Sequence, residues 1–232
     1  MNPQLNSISM RYAKKACNHL LRLGARVMYI TADTKYSASC ILLIDIFDAA
    51  LRAHFQEFAF LEREPEVEIF LALPATQETE GIAALKKLLP LAKTLTYHRS
   101  PYEAVNKAVQ EAQGRYICLL KTGIALHEGA LAAMCALLRK ETQRSAGSAR
   151  LRQMEARAAT ADAAIGTMPY DYADALYTGR ECGSVLLWKK EVGSEPFNEA
   201  FTFLADEERV LRLAGNNRLL AFTGGIGTYS PG

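Results

Sequence analysis

The sequence lacks most of the features that mark a specialised class of protein. Its five cysteines are scattered and odd in number, and none forms a Cys-x-x-Cys pair, which argues against a disulfide framework and against a zinc site. No signal peptide is visible, because no apolar run follows Lys14 and Lys15. No membrane span is visible either, because Asp45 and Asp48 interrupt the most apolar helical stretch. A formal charge of +2 indicates neither a nucleic-acid nor a membrane partner. We therefore expect a cytoplasmic protein with reduced thiols.

What the sequence does contain is the composition of an ordinary globular protein. Half of its 232 residues are hydrophobic and 22% are charged. This length suffices to bury a sizeable core, and it lies in the range where α/β folds often form one domain, so we predict a single domain over residues 1–232. Residues 140–162 differ, being rich in Ala, Arg, Ser and Gln, and predict an exposed helix or mobile loop. The arginines of this segment indicate either a solvated face or a site for an acidic ligand.

Short apolar runs alternate with helical patterns along the chain. The apolar runs predict four strands, at residues 26–30, 67–73, 95–97 and 116–120. Apolar residues at helical spacing predict three helices, at residues 41–61, 81–91 and 126–138. Ser100-Pro101-Tyr102-Glu103 has the spacing of a capping box and predicts a further helix that ends at Gly114. This order predicts an α/β fold with a mainly parallel sheet flanked by helices. The active sites of such sheets lie at the carboxyl ends of the strands.

Three segments carry motifs in a recognisable order. Residues 104–120, AVNKAVQEAQGRYICLL, have Ala-x-Asn near a helix start, then Ala-x-Gly-x-Tyr-Ile leading into a strand. Residues 182–192, CGSVLLWKKEV, have an apolar run followed by two lysines, and residues 197–213 contain Phe-Asn-Glu-Ala-Phe, an acidic pair and Leu-Arg-Leu. Together these segments resemble glycosyltransferase family two. The resemblance implies a GT-A-type, Rossmann-like fold and inverting transfer of a sugar from a nucleotide-sugar donor to a hydroxyl of a glycan acceptor.

The resemblance also implies which residues form the site. Those implied in nucleotide-sugar binding are Thr31, Ala32, Asp33, Asn106, Lys121, Thr122 and Gly123. Those implied on the acceptor side are Gly183, Ser184 and Trp188. Asp206-Glu207 matches the family's Glu-Asp in reverse order, so Glu207 takes the position of the general base. Alternatively, the two acids only begin a helix, where they favour its dipole, and Asn106 only satisfies backbone groups.

The chain departs from the family at the positions that hold the metal and the nucleotide. The family has Asp-x-Asp after the strand at 116–120, where the carboxylates hold Mn or Mg against the diphosphate, whereas this chain has Lys121-Thr122-Gly123. No Asp-x-Asp occurs elsewhere. Leu73-Pro74 replaces the aspartate that binds the base or ribose, and residues 223–229 lack the histidine that members often supply to the metal. We therefore expect no metal cofactor.

Two functions remain open for such a domain. In the first, the Lys121 ammonium neutralises the diphosphate in place of a metal, and the domain is a metal-independent transferase. Its partners are then a nucleotide-sugar donor and a glycan acceptor. In the second, Lys121 is a loop residue in a site that has lost its chemistry, and the domain is a catalytically inactive module that binds a glycan or a protein. A partner domain or a second copy of the chain is then expected.

Overall fold

The computed structural model describes residues 36–44, 58, 61, 66–75, 80–141, 143–151, 165–169, 183–189, 196–201, 205–216, 218–224 and 226–229. All of them lie in one compact unit, Lys35–Gly232. The predicted strand at residues 26–30 lies outside the described residues, and so do residues 142 and 152–162 of the segment 140–162. Within that segment the prediction of an exposed helix or mobile loop is wrong for Ala146–Leu151, which form a strand that pairs with a neighbouring strand on each side. The single-domain organisation over residues 1–232 therefore stays a prediction.

The described residues form ten strands and four helices. The strands are β1 (Tyr36–Leu43), β2 (Val67–Pro74), β3 (Lys93–Tyr97), β4 (Gly114–Lys121), β5 (Ile124–Leu126), β6 (Ala146–Leu151), β7 (Gly166–Pro169), β8 (Gly183–Lys189), β9 (Leu219–Thr223) and β10 (Gly227–Tyr229). The helices are α1 (Glu80–Leu88), α2 (Pro101–Glu111), α3 (Ala130–Lys140) and α4 (Ala205–Gly215). None of these four helices has the length and apolar character needed to span a bilayer.

An eight-stranded mixed sheet lies at the centre, in the order β3-β2-β1-β4-β8-β6-β9-β7. Strands β3, β2, β1 and β4 are parallel to one another, whereas β8 is antiparallel to both β4 and β6. Strands β5 and β10 form a separate antiparallel pair. The predicted α/β fold is confirmed. The sheet is mixed rather than purely parallel because β7 and β8 run against their neighbours.

The predicted helix at residues 41–61 is wrong at its start. Ile41 and Leu43 belong to β1, which lies in the sheet between β2 and β4. This strand is buried on both faces, so its sequence is apolar without the alternation of a half-exposed strand, and such a short run cannot be told from a helix by spacing alone. Of the remaining range beyond Ile44, only Phe58 and Leu61 are described, and both are buried.

The two faces of the sheet bury two separate cores. Cys40 and Cys118 face the core that includes α1 and α3, whereas Ile41 and Ile117 face the core that includes α2 and α4. Successive side chains of a strand point to opposite faces, and Lys121 has the same parity as Ile117. The Lys121 side chain therefore leaves the end of β4 on the face that α2 and α4 cover.

A buried carboxylate joins the amino ends of the parallel strands. Glu68, only 5% exposed, accepts hydrogen bonds from the Ser39 hydroxyl at 2.7 Å, the Gln113 N–H at 2.8 Å and the Lys93 ammonium at 2.8 Å. Ser39 Oγ in turn accepts from the Gly114 N–H at 2.9 Å. Burial raises the pKa of Glu68, but the bonds from Gln113, Lys93 and Ser39 outweigh burial and hold the pKa below its ordinary value.

Glu68→Gln is expected to lower the free energy of unfolding by about 1.5 kcal/mol at neutral pH, because the bonds to a charged acceptor are weakened. A carboxylate whose folded-state pKa is depressed stabilises the fold above its unfolded-state pKa. That stabilisation is lost as the pH falls from about 4.5 through the lower folded-state pKa. Urea unfolding of both proteins from neutral pH downward measures the difference. A difference in the free energy of unfolding that stays constant through this acid range contradicts a lowered pKa of Glu68 in the folded state.

Gly114→Ala is expected to lower the free energy of unfolding by about 2 kcal/mol through overpacking. A Cβ at Gly114 would lie 2.4 Å from Ser39 N and 2.5 Å from Ala38 C, both backbone atoms of the central strand, so β1 or β4 must shift. Gly215→Ala is the matched control, because a Cβ there meets nothing within 4 Å and alanine suits a helix. Chemical denaturation should give a clearly lower midpoint for Gly114→Ala than for Gly215→Ala. Equal midpoints would contradict the close approach of β1 and β4 at Gly114.

Candidate functional site

The carboxyl ends of the four parallel strands meet at one edge of the sheet. Leu43 of β1 lies opposite Lys121 of β4, and Pro74 of β2 lies opposite Tyr97 of β3. The Tyr97 hydroxyl donates to the Ile44 carbonyl oxygen at 3.2 Å, which ties the end of β3 to the end of β1. This edge is where open α/β sheets place their ligands.

An ion pair lies at this edge where β4 ends. Lys121 Nζ is 2.8 Å from Asp206 Oδ2, and the Tyr102 hydroxyl donates to Asp206 Oδ1 at 2.5 Å. The Asp206 side chain is 2% exposed and the Lys121 side chain is 27% exposed. Burial, followed by the negative charge of Asp206 and its hydrogen bond, raises the pKa of Tyr102, so the phenol remains a proton donor. We call these three residues the ion-pair cluster.

The predicted capping box at the start of α2 is confirmed, and it orients Tyr102. The Ser100 side chain accepts from the Tyr102 N–H at 3.3 Å, and Glu103 accepts from the Ser100 N–H at 3.4 Å. The Ser100 hydroxyl also donates to the Phe201 carbonyl oxygen at 2.9 Å. These bonds fix the beginning of α2 against the segment that precedes α4, and Asp206 is the second residue of α4.

Asn106 holds this same segment rather than facing the strand ends. Its Nδ2 donates to the Phe197 carbonyl oxygen at 3.0 Å and to Glu199 Oε1 at 2.8 Å, while its Oδ1 accepts from the Phe197 N–H at 2.8 Å. The Phe197 ring stacks on the Tyr102 ring, with centroids 5.4 Å apart. Asn106 therefore acts on the ion-pair cluster indirectly, through Phe197. This geometry matches the alternative in which it satisfies backbone groups.

The turn after β4 is shaped by Thr122 and Gly123. The Thr122 N–H and hydroxyl both donate to the Leu43 carbonyl oxygen, each at 3.2 Å. Gly123 has a φ of 85°, in the left-handed region that disfavours residues with a side chain. The three positions that match Asp-x-Asp thus offer an ammonium, a hydroxyl bound to backbone and no side chain.

These residues do not fit a divalent cation of the Mn or Mg type. Such cations take oxygen ligands, above all carboxylates, and Lys121 instead places a positive charge against Asp206. Within the described ranges no group of three or more His, Cys, Asp or Glu side chains could hold a metal ion. Strand β2 ends at Pro74, which also offers no carboxylate.

The two predicted catalytic acids lie in different surroundings. Asp206 is buried and contacts Lys121, whereas Glu207 is exposed on α4. Sequence reasoning missed Tyr102, although a signal was present: Tyr102 and Asn106 are four residues apart on one helix and therefore share a face. Both contact Phe197, one through its ring and the other through its backbone.

The acceptor-side residues are separated by the direction of β8. Gly183 and Ser184 begin β8, and because β8 is antiparallel to β4 its start lies near the end of β4 that carries Lys121. Trp188 lies about 13 Å further along the strand at 3.3 Å per residue. It is 1% exposed and packs edge-on against Phe197, so its ring offers no face to an acceptor in this arrangement.

The remaining predicted binding residues, Thr31, Ala32 and Asp33, lie outside the described residues. Their role stays a prediction. Strand β1 ends at Leu43, and the Ile44 N–H that follows it donates to the Ala72 carbonyl oxygen of β2 at 3.1 Å.

No family model and no curated protein sequence matches this chain. Among solved structures, it is similar to S. aureus TarS 1–349, with a TM-score of 0.58 and 10% sequence identity over 84% of this chain and 60% of that chain. The complex of that protein with UDP gives a TM-score of 0.60 at the same identity and coverage. A mycobacterial protein gives a TM-score of 0.55 and 11% identity over 86% of this chain and 70% of that chain.

At these identities the likeness shows the fold alone. The GT-A-type fold predicted from the three motifs is confirmed by the similarity to TarS. The chain spans 60% of the length of TarS 1–349, so the activity and substrates of that protein are not transferred with the fold.

Proposed function

We propose that this chain is a glycosyltransferase-like GT-A domain that does not transfer sugar and acts instead as a glycan-binding or protein-interaction module. The ion pair between Lys121 and Asp206 is the observation that carries the proposal. It lies at the position where the family has Asp-x-Asp. The ammonium that could face a diphosphate already neutralises a carboxylate of the same chain.

The state of Asp206 supports the absence of catalysis. A general base must reach the acceptor hydroxyl at hydrogen-bond distance. Asp206 is 2% exposed, one of its oxygens accepts from Tyr102, and the other contacts Lys121. Proton abstraction by Asp206 would require both contacts to be broken and the carboxylate to leave its buried position.

Two other parts of the edge support the same conclusion. Pro74 ends β2 without a carboxylate for a base or ribose, and Gly123 has neither a carboxylate nor a backbone conformation that suits one. Changes at the ends of both β2 and β4 affect the two halves of one nucleotide-sugar site. The core that supports the fold does not depend on them.

The second candidate is a metal-independent inverting transferase, favoured by the exposure of Lys121 and Glu207. The Lys121 side chain is 27% exposed, so its ammonium could meet a diphosphate that displaces Asp206. Glu207 is exposed beside Asp206 on α4 and could then serve as the base.

Thermal unfolding with UDP and UDP-GlcNAc, in Mn²⁺ and in EDTA, separates these functions. These ligands are chosen because the similar protein TarS was solved with both. A ligand at a hundred times its Kd stabilises a protein by about 2.7 kcal/mol, a shift that is readily measured. We expect no shift and no release of UDP from UDP-GlcNAc. Stabilisation in EDTA that Lys121→Met abolishes, together with release of UDP from UDP-GlcNAc, would establish the second candidate instead, and stabilisation that requires Mn²⁺ would contradict both.

A further inference from the structure

We infer that the outer edge of β3 is a dimerisation surface, on which a second copy of this chain pairs its own β3 in antiparallel orientation. This surface lies outside the ion-pair cluster, and the inference does not depend on whether the domain transfers sugar. Strand β3 lies at one end of the eight-stranded order. Within the described ranges, β2 is the one strand that pairs with it. The opposite edge of β3 can therefore offer backbone groups to another chain.

Hydrogen bonds to β2 determine which residues of β3 face outward. Tyr97 lies opposite Pro74, and the Tyr97 carbonyl oxygen accepts from the Ala75 N–H at 2.8 Å. Successive residues of a strand direct their backbone groups alternately to one neighbour and to the other side. The N–H and carbonyl groups of Thr94 and Thr96 therefore point away from β2. Both threonines are exposed.

The outward-facing part of this edge is short and is closed at both ends by bonds within the chain. Before the strand, the Ala92 N–H donates to the Leu89 carbonyl oxygen at 3.1 Å. After it, the His98 N–H donates to a carboxylate oxygen of Glu103 at 3.3 Å. Between these two bonds, the two threonines contribute two outward donors and two outward acceptors.

A second copy of β3 satisfies all four groups when a two-fold axis passes through Leu95. In this antiparallel register, Thr94 of each copy forms a hydrogen-bonded pair with Thr96 of the other. Leu95 then meets its own copy as a non-hydrogen-bonded pair, with the two Cα atoms about 4.5 Å apart. Leu95 is partly buried against the core that includes α2 and α4, so the pair extends that apolar surface. The strand is thus complementary to itself, as the interface of a two-fold dimer requires.

The charges of β3 do not oppose this pairing. Its sequence, KTLTY, contains one charged residue, Lys93, whose ammonium is 2.8 Å from the Glu68 carboxylate. Natural proteins protect an exposed edge with proline, with outward charges or with a bulge, and the segment from Thr94 to Thr96 has none of these. Leu91, two residues before β3, is 92% exposed, and the register places the chain that follows the partner's β3 beside it. A neutral edge bordered by an exposed leucine fits a second copy better than a charged ligand.

Sedimentation velocity of the natural chain over a range of concentrations tests for the dimer, and we expect a reversible increase to twice the mass of the chain. Thr94→Lys combined with Thr96→Lys places like charges opposite each other in both pairs, so dimerisation should weaken at least about 10-fold. The corresponding double glutamate variant should weaken dimerisation as much. A one-to-one mixture of the lysine and glutamate variants should dimerise again, because each pair then joins opposite charges.

Glu128→Lys is the matched control for the double lysine variant. It changes the net charge by the same amount at an exposed position just before α3, and it should leave dimerisation unchanged. Amide hydrogen exchange of the natural chain locates the contact. The Thr94 and Thr96 amides should exchange more slowly at concentrations where the dimer forms than in dilute solution.

A natural chain that stays monomeric at millimolar concentration overturns the inference, even if it captures a strand of another protein. A dimer that the double lysine variant forms as tightly as the natural chain, or a mixture of the two charge variants that stays monomeric, also overturns it. If the double variants do not fold, Thr96→Pro removes one outward N–H and no bond to β2, so it should abolish the dimer. Undiminished dimerisation of Thr96→Pro overturns the inference.

Discussion

Lys121→Met is expected to lower the free energy of unfolding by about 3 kcal/mol, because it leaves the buried Asp206 carboxylate without its counter-charge. Asp206 is 2% exposed and contacts Lys121 at 2.8 Å, so water solvates its carboxylate poorly once the ammonium is removed. The methionine keeps the apolar stem and removes the charge alone. Urea unfolding at neutral pH measures the loss.

Lys107→Met is the matched control for this change. Lys107 is an exposed lysine on α2, and its replacement should alter the free energy of unfolding by no more than about 0.5 kcal/mol. Combining Lys121→Met with Asp206→Asn removes both charges and should recover part of the loss, which a double-mutant cycle reports as a coupling energy. Equal costs for the Lys121 and Lys107 replacements would show that the ion pair does not support the fold.

Phe197→Ala is expected to lower the free energy of unfolding by about 4 kcal/mol, through lost burial and the cavity that remains. Phe197 is 2% exposed, its ring stacks on Tyr102 and meets Trp188 edge-on, and the Arg209 guanidinium lies 4.6 Å from its centroid. The loss should also loosen Tyr102, which holds Asp206. The ring therefore links the core to the ion-pair cluster.

Phe201→Ala provides the comparison within the same segment. The Phe201 side chain is 43% exposed, and its truncation should cost less than about 1 kcal/mol. Guanidinium-induced unfolding followed by tryptophan fluorescence suits both variants, because Trp188 contacts the Phe197 ring. Near-identical midpoints for the two truncations would mean that the aromatic contacts of Phe197 add little to stability.

Those parts of the fold that rest on local signals could be predicted from the sequence. The apolar runs that became β2 and β4 are bounded by polar or proline residues, and the Ser100 capping box determines the start of α2 within a few residues. Strand β1 could not be recognised in the same way. Its residues from Ser39 to Leu43 are buried by β2, β4 and helices that are distant in sequence, and only those contacts distinguish it from a helix.

The sequence predicted that the candidate site departs from the family pattern, but it did not predict which side chains contact one another there. Lys121 stands out in the sequence because a carboxylate belongs at its position in the family. Its partner could not be chosen between Asp206 and Glu207, since the phase of α4 against the sheet decides which acid is buried. The direction of β8 likewise decides that Trp188 packs in the core while Ser184 starts the strand near the edge.

Titration of Mn²⁺ into ¹⁵N-labelled protein tests most directly the central claim that an ion pair stands where a metal site would be. Paramagnetic broadening reports which amides lie near a bound ion. Because Lys121 already neutralises Asp206, we predict no selective broadening of the Lys121, Thr122 and Gly123 amides, with or without UDP. Selective loss of these three resonances at low Mn²⁺, restored by EDTA, would contradict the claim.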